Sequence, residues 1–188
     1  ETAAANLTLS GSSSDTGLAP NANIVFGGSG ANRTVTVTPV ANGSGTATIT
    51  VIVTDEGNAT ASDTFIVSVN AVNDSPTISD IANVTINEDN NTGALNFTVG
   101  DLETPVANLT VSGSSGDTGL VPNANIVFGG GGANRTVTVS PAANQFGVAT
   151  LTISVSDGTA SAADNFILTV NPANDAPTIS NIPDQAVA

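Results

Sequence analysis

The chain repeats itself, and this repeat constrains the fold more than any other feature of the sequence. Residues 6–54 and 108–156 align without a gap at a constant shift of 102 positions, and 36 of these 49 residue pairs are identical. After Asp157 the shift becomes 101, so that Phe65 corresponds to Phe166. A period of about 100 residues is too long for a solenoid unit and matches a whole β-sandwich domain. The sequence therefore predicts a tandem array of similar domains.

The repeat also predicts where the domains divide. Glu1 corresponds to Glu103, and residues 77–101 have no counterpart ahead of the first copy. Residues 174–188 repeat only the opening of that stretch. The predicted organisation is an incomplete module over residues 1–72 that lacks its first two strands, a complete module over residues 73–173, and the first strand of a third module over residues 174–188.

Apolar and polar residues alternate with a period of two, which is typical of half-buried strands. Residues 34–38 (Thr-Val-Thr-Val-Thr) are the clearest case. Residues that favour helices are scarce, while Gly and Asn interrupt the chain every few residues. We therefore predict an all-β fold of tandem seven-stranded Greek-key β-sandwich modules. The strands predicted for the complete module are 83–87, 94–99, 108–112, 125–128, 135–140, 148–156 and 165–171.

Side chains that alternate inward along these strands form the predicted core. They are mostly aliphatic with a few Phe, which is enough for a module of about 100 residues. Trp and Cys are absent from the chain, which excludes antibody-type domains as close relatives. The predicted inward residues are Val84, Ile86, Leu95, Phe97, Val99, Leu109, Val111, Ile126, Phe128, Val137, Val139, Leu151, Ile153, Val155, Phe166, Leu168 and Val170.

The balance of charge argues against several partners. The net charge is −14, with 16 acidic residues against only Arg33 and Arg135. Nucleic acid and anionic membranes both require Lys and Arg, so neither is an expected partner, and no segment is suited to membrane insertion. The two arginines hold the same place in each copy, and we expect each to form a salt bridge or a hydrogen bond to loop carbonyls.

Composition also argues against an enzyme. The chain has no His, Cys, Lys, Tyr or Trp, so triads, thiol nucleophiles, Schiff bases and most metal-hydrolase sites cannot be built. Paired carboxylates can cleave glycosides, but six Phe are the only aromatic residues available to line a sugar cleft. The glycine-rich residues 27–30 and 129–132 predict hairpin loops rather than phosphate loops, because no helix follows them.

Acidic residues cluster at the ends of the predicted strands. Because antiparallel strands alternate in direction, these clusters should collect at the two ends of the sandwich. The acids expected at one end, the upstream pole, are Asp101, Glu103, Asp157 and Asp164. Those expected at the opposite end, the downstream pole, are Glu88 and Asp89. Taken singly, each acid could instead be an ordinary turn residue.

Short motifs carry a resemblance to a known family. They are Asn-Asp-x-Pro at residues 73–76 and 174–177, Asn-Glu-Asp at 87–89, Asp-Leu-Glu at 101–103 and Val-Ser-Asp-Gly at 155–158. On these motifs the chain resembles the cadherin-like, immunoglobulin-like tandem repeats of large bacterial surface adhesins. The resemblance implies an extracellular location and Ca²⁺ bound where modules join. The candidate metal ligands are Asn73, Asp74, Glu88, Asp89, Asp101, Glu103, Asp157, Asp164, Asn171, Asn174 and Asp175.

Calcium takes about six to eight hard oxygen ligands, and acids that converge on one linker repel each other unless a cation lies between them. The predicted mechanism is mechanical, because Ca²⁺ would tie a linker to its two modules and stiffen a flexible string. The predicted function is a spacer or stalk of a cell-surface adhesin or fibre, with adjacent repeats of the same chain as partners. One alternative is a subunit of an extracellular filament or surface layer that contacts neighbouring copies. The other is an accessory module of a secreted polysaccharide-active enzyme.

Overall fold

A computed structural model describes residues 2–186, and the chain is all-β, as predicted. It divides into two compact units, Glu1–Val72 (unit 1) and Asn73–Ala188 (unit 2). No helix in the described residues is long and apolar enough to cross a membrane. Within residues 2–186, helical structure is limited to short 3-10 turns at Ala4–Asn6, Asn21–Asn23 and Asn123–Asn125.

Unit 1 contains five strands in its described residues. One sheet has the order β1-β4-β5, and β2 pairs with β3 in a separate hairpin. All of these pairings are antiparallel. The strands are β1 (Thr8–Ser13), β2 (Ile24–Ser29), β3 (Asn32–Val37), β4 (Gly45–Thr54) and β5 (Thr60–Val69).

Unit 2 contains the same five strands and three that precede them. Its two four-stranded sheets have the orders β6-β8-β11-β10 and β7-β13-β12-β9. Among the described strands of this unit, only β7 and β13 pair in parallel. This is the strand order of an immunoglobulin-like sandwich, with the opening segment divided between the two sheets. The strands are β6 (Thr77–Ile78), β7 (Val84–Asn87), β8 (Leu95–Gly100), β9 (Thr110–Ser115), β10 (Ile126–Gly131), β11 (Asn134–Val139), β12 (Gly147–Ser156) and β13 (Ser161–Asn171).

All seven strands predicted for unit 2 are present, and β6 forms an eighth within the extended segment that precedes them. The largest error in a boundary is at β13, which begins at Ser161 rather than at Asn165. Residues 172–186 contain no strand, so the third module stays a prediction. Glu1, Val187 and Ala188, which belong to the predicted outer modules, lie outside the described residues.

Every predicted inward residue of unit 2 belongs to one hydrophobic core, twelve of them buried and five partly buried. Sequence reasoning missed Leu120 and Val121, which are buried although they lie in a loop. The Asp117 Oδ1 atom accepts hydrogen bonds from the backbone N–H groups of Gly119 and Leu120, which turns this loop into the core. The buried residues of unit 1 are fewer, namely Leu18, Ala19, Ile24, Ala47 and Ile49.

The glycine-rich segments form hairpins, as predicted, and the arginine of each copy bonds to a carbonyl of an earlier segment. Gly132 turns the chain between β10 and β11 with a φ of 60°, a conformation that favours glycine. Arg135 donates a hydrogen bond from Nη2 to the carbonyl of Val106 at 3.0 Å. Arg33 donates in the same way to the carbonyl of Ala4 at 3.1 Å. The predicted hydrogen bonds to loop carbonyls are therefore present in both copies.

Candidate functional site

Residues 73 and 74 dock on the upstream pole of unit 2 through two acidic side chains. Asn73 donates a hydrogen bond from Nδ2 to Asp157 Oδ2 at 2.9 Å, and a second to the carbonyl of Asp74 at 2.8 Å. The backbone N–H of Asp74 donates to Glu103 Oε2 at 3.1 Å. The structure thus brings together the segment that opens unit 2, the segment after β8 and the turn after β12.

Asp157 opens the turn between β12 and β13 and stays charged at neutral pH. Its Oδ1 atom accepts hydrogen bonds from the N–H groups of Thr159 and Ala160, both at 2.6 Å. The backbone N–H of Ala160, then the Asn73 amide and then the N–H of Thr159 lower the pKa of Asp157 below its ordinary value of 3.8. These donors stabilise the carboxylate, because each bonds to the ionised form.

Asp101 follows β8 and carries an oxygen without a partner. Its Oδ1 atom accepts hydrogen bonds from the N–H groups of Glu103 at 2.9 Å and Thr104 at 2.7 Å. Its Oδ2 atom is buried and has no hydrogen-bond partner among the described residues. A buried carboxylate oxygen without a donor is costly. The Oδ2 atom of Asp101 is therefore a candidate ligand for a cation.

The downstream pole is built around Glu88, the one buried charged residue among the described residues, at 5 % exposure. Glu88 follows β7, and its backbone N–H donates to the carbonyl of Asn171 at 2.9 Å. Its Oε1 atom accepts a hydrogen bond from the N–H of Ala173 at 2.6 Å. The carboxylate of Glu88 therefore fastens the segment that leaves β13, in the way that Glu103 fastens the segment that enters unit 2.

The other candidates near this pole lie in the turn after β7 and in the irregular segment after β13. Asp89 has a φ of 60° and accepts a hydrogen bond from the N–H of Asn144 at 3.2 Å. Asn174 donates from Nδ2 to the carbonyl of Asp175 at 3.2 Å, which repeats the contact between Asn73 and Asp74. The two Asn-Asp segments therefore share the same hydrogen bond, from the Asn side chain to the carbonyl of the next residue, as well as the same sequence.

Asp164 does not join the upstream pole, contrary to prediction. Because β13 begins at Ser161, Asp164 lies inside this strand and pairs with Ile153. Its Oδ2 atom accepts a hydrogen bond from the N–H of Ile81 at 2.9 Å. Asp164 thus holds the segment between β6 and β7 against the sheet.

Within residues 2–186, no three His, Cys, Asp or Glu side chains lie close enough together to hold a metal ion. A cation at either pole would need oxygens from Asn side chains and backbone carbonyls beside the carboxylates, a mixture that Ca²⁺ accepts.

Sequence reasoning missed the backbone donors of Thr104 and Ala160. The signal that could have found them is the Asp that opens each turn, because Asp side chains commonly accept hydrogen bonds from backbone N–H groups a few residues further on.

Comparison with known proteins yields only remote structural similarity. No family model matches the chain, and no curated protein matches it. The titin domains Z1Z2 in complex with telethonin share 14 % identity, with 89 % of this chain and 83 % of that chain covered and a TM-score of 0.46. Domains 1–6 of the surface layer protein SbsC share 20 % identity over 93 % of this chain and 21 % of that chain, with a TM-score of 0.41. Domains 4 and 5 of the same protein share 21 % identity over 88 % of this chain and 77 % of that chain, with a TM-score of 0.39. At these low values no property of those proteins is transferred to this chain.

Proposed function

We propose that this chain is a non-enzymatic extracellular structural repeat that serves as a calcium-rigidified spacer of a cell-surface adhesin or fibre. The observation that supports the proposal most is the buried Oδ2 atom of Asp101, which has no hydrogen-bond partner among the described residues. Sequence supports the same view, because the chain lacks the side chains used by most enzymes and carries its acids at strand ends.

The charge around the poles favours a cation. Eleven of the sixteen acidic residues lie in unit 2, and Arg135 is its one basic residue. Arg135 Nη2 bonds to the carbonyl of Val106. A hard divalent ion such as Ca²⁺ suits carboxylate and amide oxygens. The residues from which its ligands would come at the upstream pole are Asn73, Asp74, Asp101, Glu103 and Asp157, with at most two carboxylates per ion beside amide and carbonyl oxygens, since no three acidic side chains converge there. Those at the downstream pole are Glu88, Asp89, Asn171, Asn174 and Asp175.

The residues themselves provide the mechanical action. Asp157 and Glu103 each hold a different group of the segment at residues 73–74, so this segment is fastened to unit 2 at two points. Bound Ca²⁺ would supply the positive charge that lets these carboxylates approach one another without repulsion. A segment fixed in this way loses backbone freedom, and a linker with less freedom would help to keep a stalk extended.

Thermal unfolding of the full chain in Ca²⁺ and in a chelator tests the proposal. We expect a higher Tm in Ca²⁺, since an ion that binds the folded state at one hundred times its Kd stabilises that state by about 2.7 kcal/mol. The Asp101→Asn variant should lose this increase. Asp55→Asn is the control: it makes the same change at a strand end of unit 1, at the counterpart of Asp157 and outside the candidate poles, and it should not affect the response.

An equal Tm in Ca²⁺ and in chelator would contradict the calcium mechanism. A Ca²⁺-dependent increase that survives Asp101→Asn would instead place the ion elsewhere. Small-angle scattering of the same samples tests the spacer role separately. We expect a longer maximum dimension in Ca²⁺ than in chelator, and an unchanged dimension would contradict stiffening.

A further inference from the structure

One face of unit 2 carries no charge, although the chain has a net charge of −14. This outer face is formed by the side chains of β7, β13, β12 and β9 that point away from the core. Along β12 and β13 the residues on this side are Ser, Thr, Asn, Ala, Val or Ile, and along β7 and β9 they are Thr, Asn and Ser. Asp164, the one acid within these four strands, lies on the core side, as does its partner Ile153. The outer face therefore suits a partner surface that is also uncharged.

Apolar side chains lie together at one end of the outer face. Val148 on β12 and Ile167 on β13 are 60 % and 42 % exposed, and they are diagonal neighbours across this strand pair. Phe146, which precedes β12, is 62 % exposed. Gly147 faces Leu120 in the core, so Phe146 and Val148 on either side of it lie outward. Single exposed apolar residues are ordinary, but three adjoining ones of this size are typical of a contact surface.

Unit 1 lacks most of this apolar patch at the same positions of the repeat. Phe146 and Val148 correspond to Ser44 and Thr46, so two of the three apolar side chains are replaced by polar ones. The surrounding segments are closely similar, since 36 of the 49 aligned residue pairs are identical. Because both positions are exposed in unit 2, folding alone does not require apolar residues there. The two differences therefore point to a contact that unit 2 makes and unit 1 does not.

The outer face is large enough to hold a partner weakly. The longest uninterrupted pairing, between β12 and β13, covers ten residues of β12. Ten residues span about 33 Å, and four strands at a spacing of about 4.8 Å span about 14 Å. Covering such a face on both partners removes on the order of 1,000 Å² of surface from water, which is the size of a weak, transient interface. Two sheets can pack face to face in this way.

We propose that the outer face of unit 2 binds the same face of unit 2 in a second copy of this chain. A second copy offers a matching surface, which is uncharged and carries the same apolar patch at the same end. A two-fold axis parallel to the strands places one patch on the other, with Phe146 and Val148 of each copy in the contact. Such an isologous contact closes as a dimer of chains that lie side by side in the same direction. A charged partner would find no complementary charge on this face.

Charge repulsion between two copies determines how this contact responds to salt. Each copy has a net charge of −14, and the acids of unit 2 lie outside the outer face. Salt screens the repulsion between the two chains, whereas a contact between uncharged faces contains no ion pairs that salt would weaken. We therefore expect association to strengthen when NaCl is raised. Association that weakens as NaCl is raised would indicate ion pairs at the contact and would overturn the proposal.

Sedimentation of the full chain in chelator, at several protein concentrations, tests the proposal apart from the calcium sites. We expect the average mass to increase from that of a monomer toward that of a dimer. The double variant Phe146→Ser, Val148→Thr introduces the residues of unit 1, so it should fold normally and associate at least about tenfold more weakly, because buried aromatic side chains dominate interfaces. Val127→Thr is the control, since Val127 is 59 % exposed on β10 in the other sheet, and it should associate like the unchanged chain.

A mass that stays monomeric at every concentration overturns the proposal. Association that survives the double variant, or that Val127→Thr weakens equally, overturns it as well. Backbone amide NMR signals of the unchanged chain locate the contact. We expect shifts that depend on protein concentration at residues 146–152 and 165–169, and shifts confined to other residues would contradict the proposed face.

Discussion

The turns after β4 in unit 1 and after β12 in unit 2 both begin with an aspartate, but the two carboxylates have different surroundings. In unit 1, Asp55 Oδ1 accepts a hydrogen bond from the N–H of Ala59 at 2.8 Å. In unit 2, Asp157 forms the equivalent bond to Ala160 and also holds the side chain of Asn73. The turn comes with the repeat, whereas the docking contact requires the segment that opens unit 2.

The cores of the two units differ for the same reason. Phe65 is 38 % exposed in unit 1, whereas Phe166 at the same place in unit 2 is fully buried. Residues 73–102 account for both differences, since they contain β6, β7, β8 and Asn73. Residues 73–102 therefore complete the sandwich and also supply Asn73, one of the partners of Asp157. The stability of a module is thereby coupled to its candidate cation site.

The largest expected effect on stability comes from giving unit 1 its own copy of residues 73–102. A chain with a second copy of residues 73–102 placed before Glu1 should stabilise unit 1 by on the order of 5 kcal/mol, because several large apolar side chains become buried at about 1.5–3 kcal/mol each. Native-state hydrogen exchange at the β4 and β5 amides measures this gain. Protection equal to that of the original chain would contradict the comparison.

A matched pair of core truncations comes next in size. Phe166→Ala should destabilise unit 2 by about 3–5 kcal/mol, the usual cost of emptying a buried phenyl site. Phe65→Ala should destabilise unit 1 by less than half as much, because its ring already contacts water. Urea unfolding followed by the NMR signals of each unit measures both losses. Equal losses would show that the two cores are equally closed.

The fold could be predicted largely from the sequence, since the alternation at residues 134–139 dictates a strand whatever its neighbours are. The burial of Phe65 could not be read in this way, because it depends on strands that pair from a distant part of the chain. The same limit applies at the poles. The positions of Asp101 and Asp157 at strand ends were predictable, but the contact between Asn73 and Asp157 spans 84 residues and needed the structure.

A change of charge at the downstream pole should have opposite effects in the two solution conditions. Glu88→Gln keeps an oxygen for the N–H of Ala173 but removes a buried charge. In chelator the change in stability should stay within about 1 kcal/mol of zero, because the weaker hydrogen bond to Ala173 offsets the relief from burying a charge. In Ca²⁺ it should lower the Tm. Glu56→Gln, an exposed change in unit 1, is the control. A decrease of equal size in both conditions would argue against an ion at Glu88.

The smallest expected effect is on acid stability. Because hydrogen bonds lower the pKa of Asp157 in the folded state, its contribution to stability is present above the ordinary value of 3.8 and is lost as the pH falls through the lower folded value. NMR signals of the Asn73 side-chain amide should shift in that acidic window. Asp157→Asn should abolish this transition, and a transition that remains would assign it to another group.

Calcium titration of the isotopically labelled full chain, followed at each backbone amide, tests the central claim most directly. We predict saturable shifts at residues 73–74, 101–104 and 157–160, with no comparable shift at residues 55–59 of unit 1. Magnesium at the same concentration should produce smaller shifts, since it prefers to keep its water ligands. Amides that do not move, or equal movement at residues 55–59 and 157–160, would contradict a calcium site formed by the opening segment of unit 2.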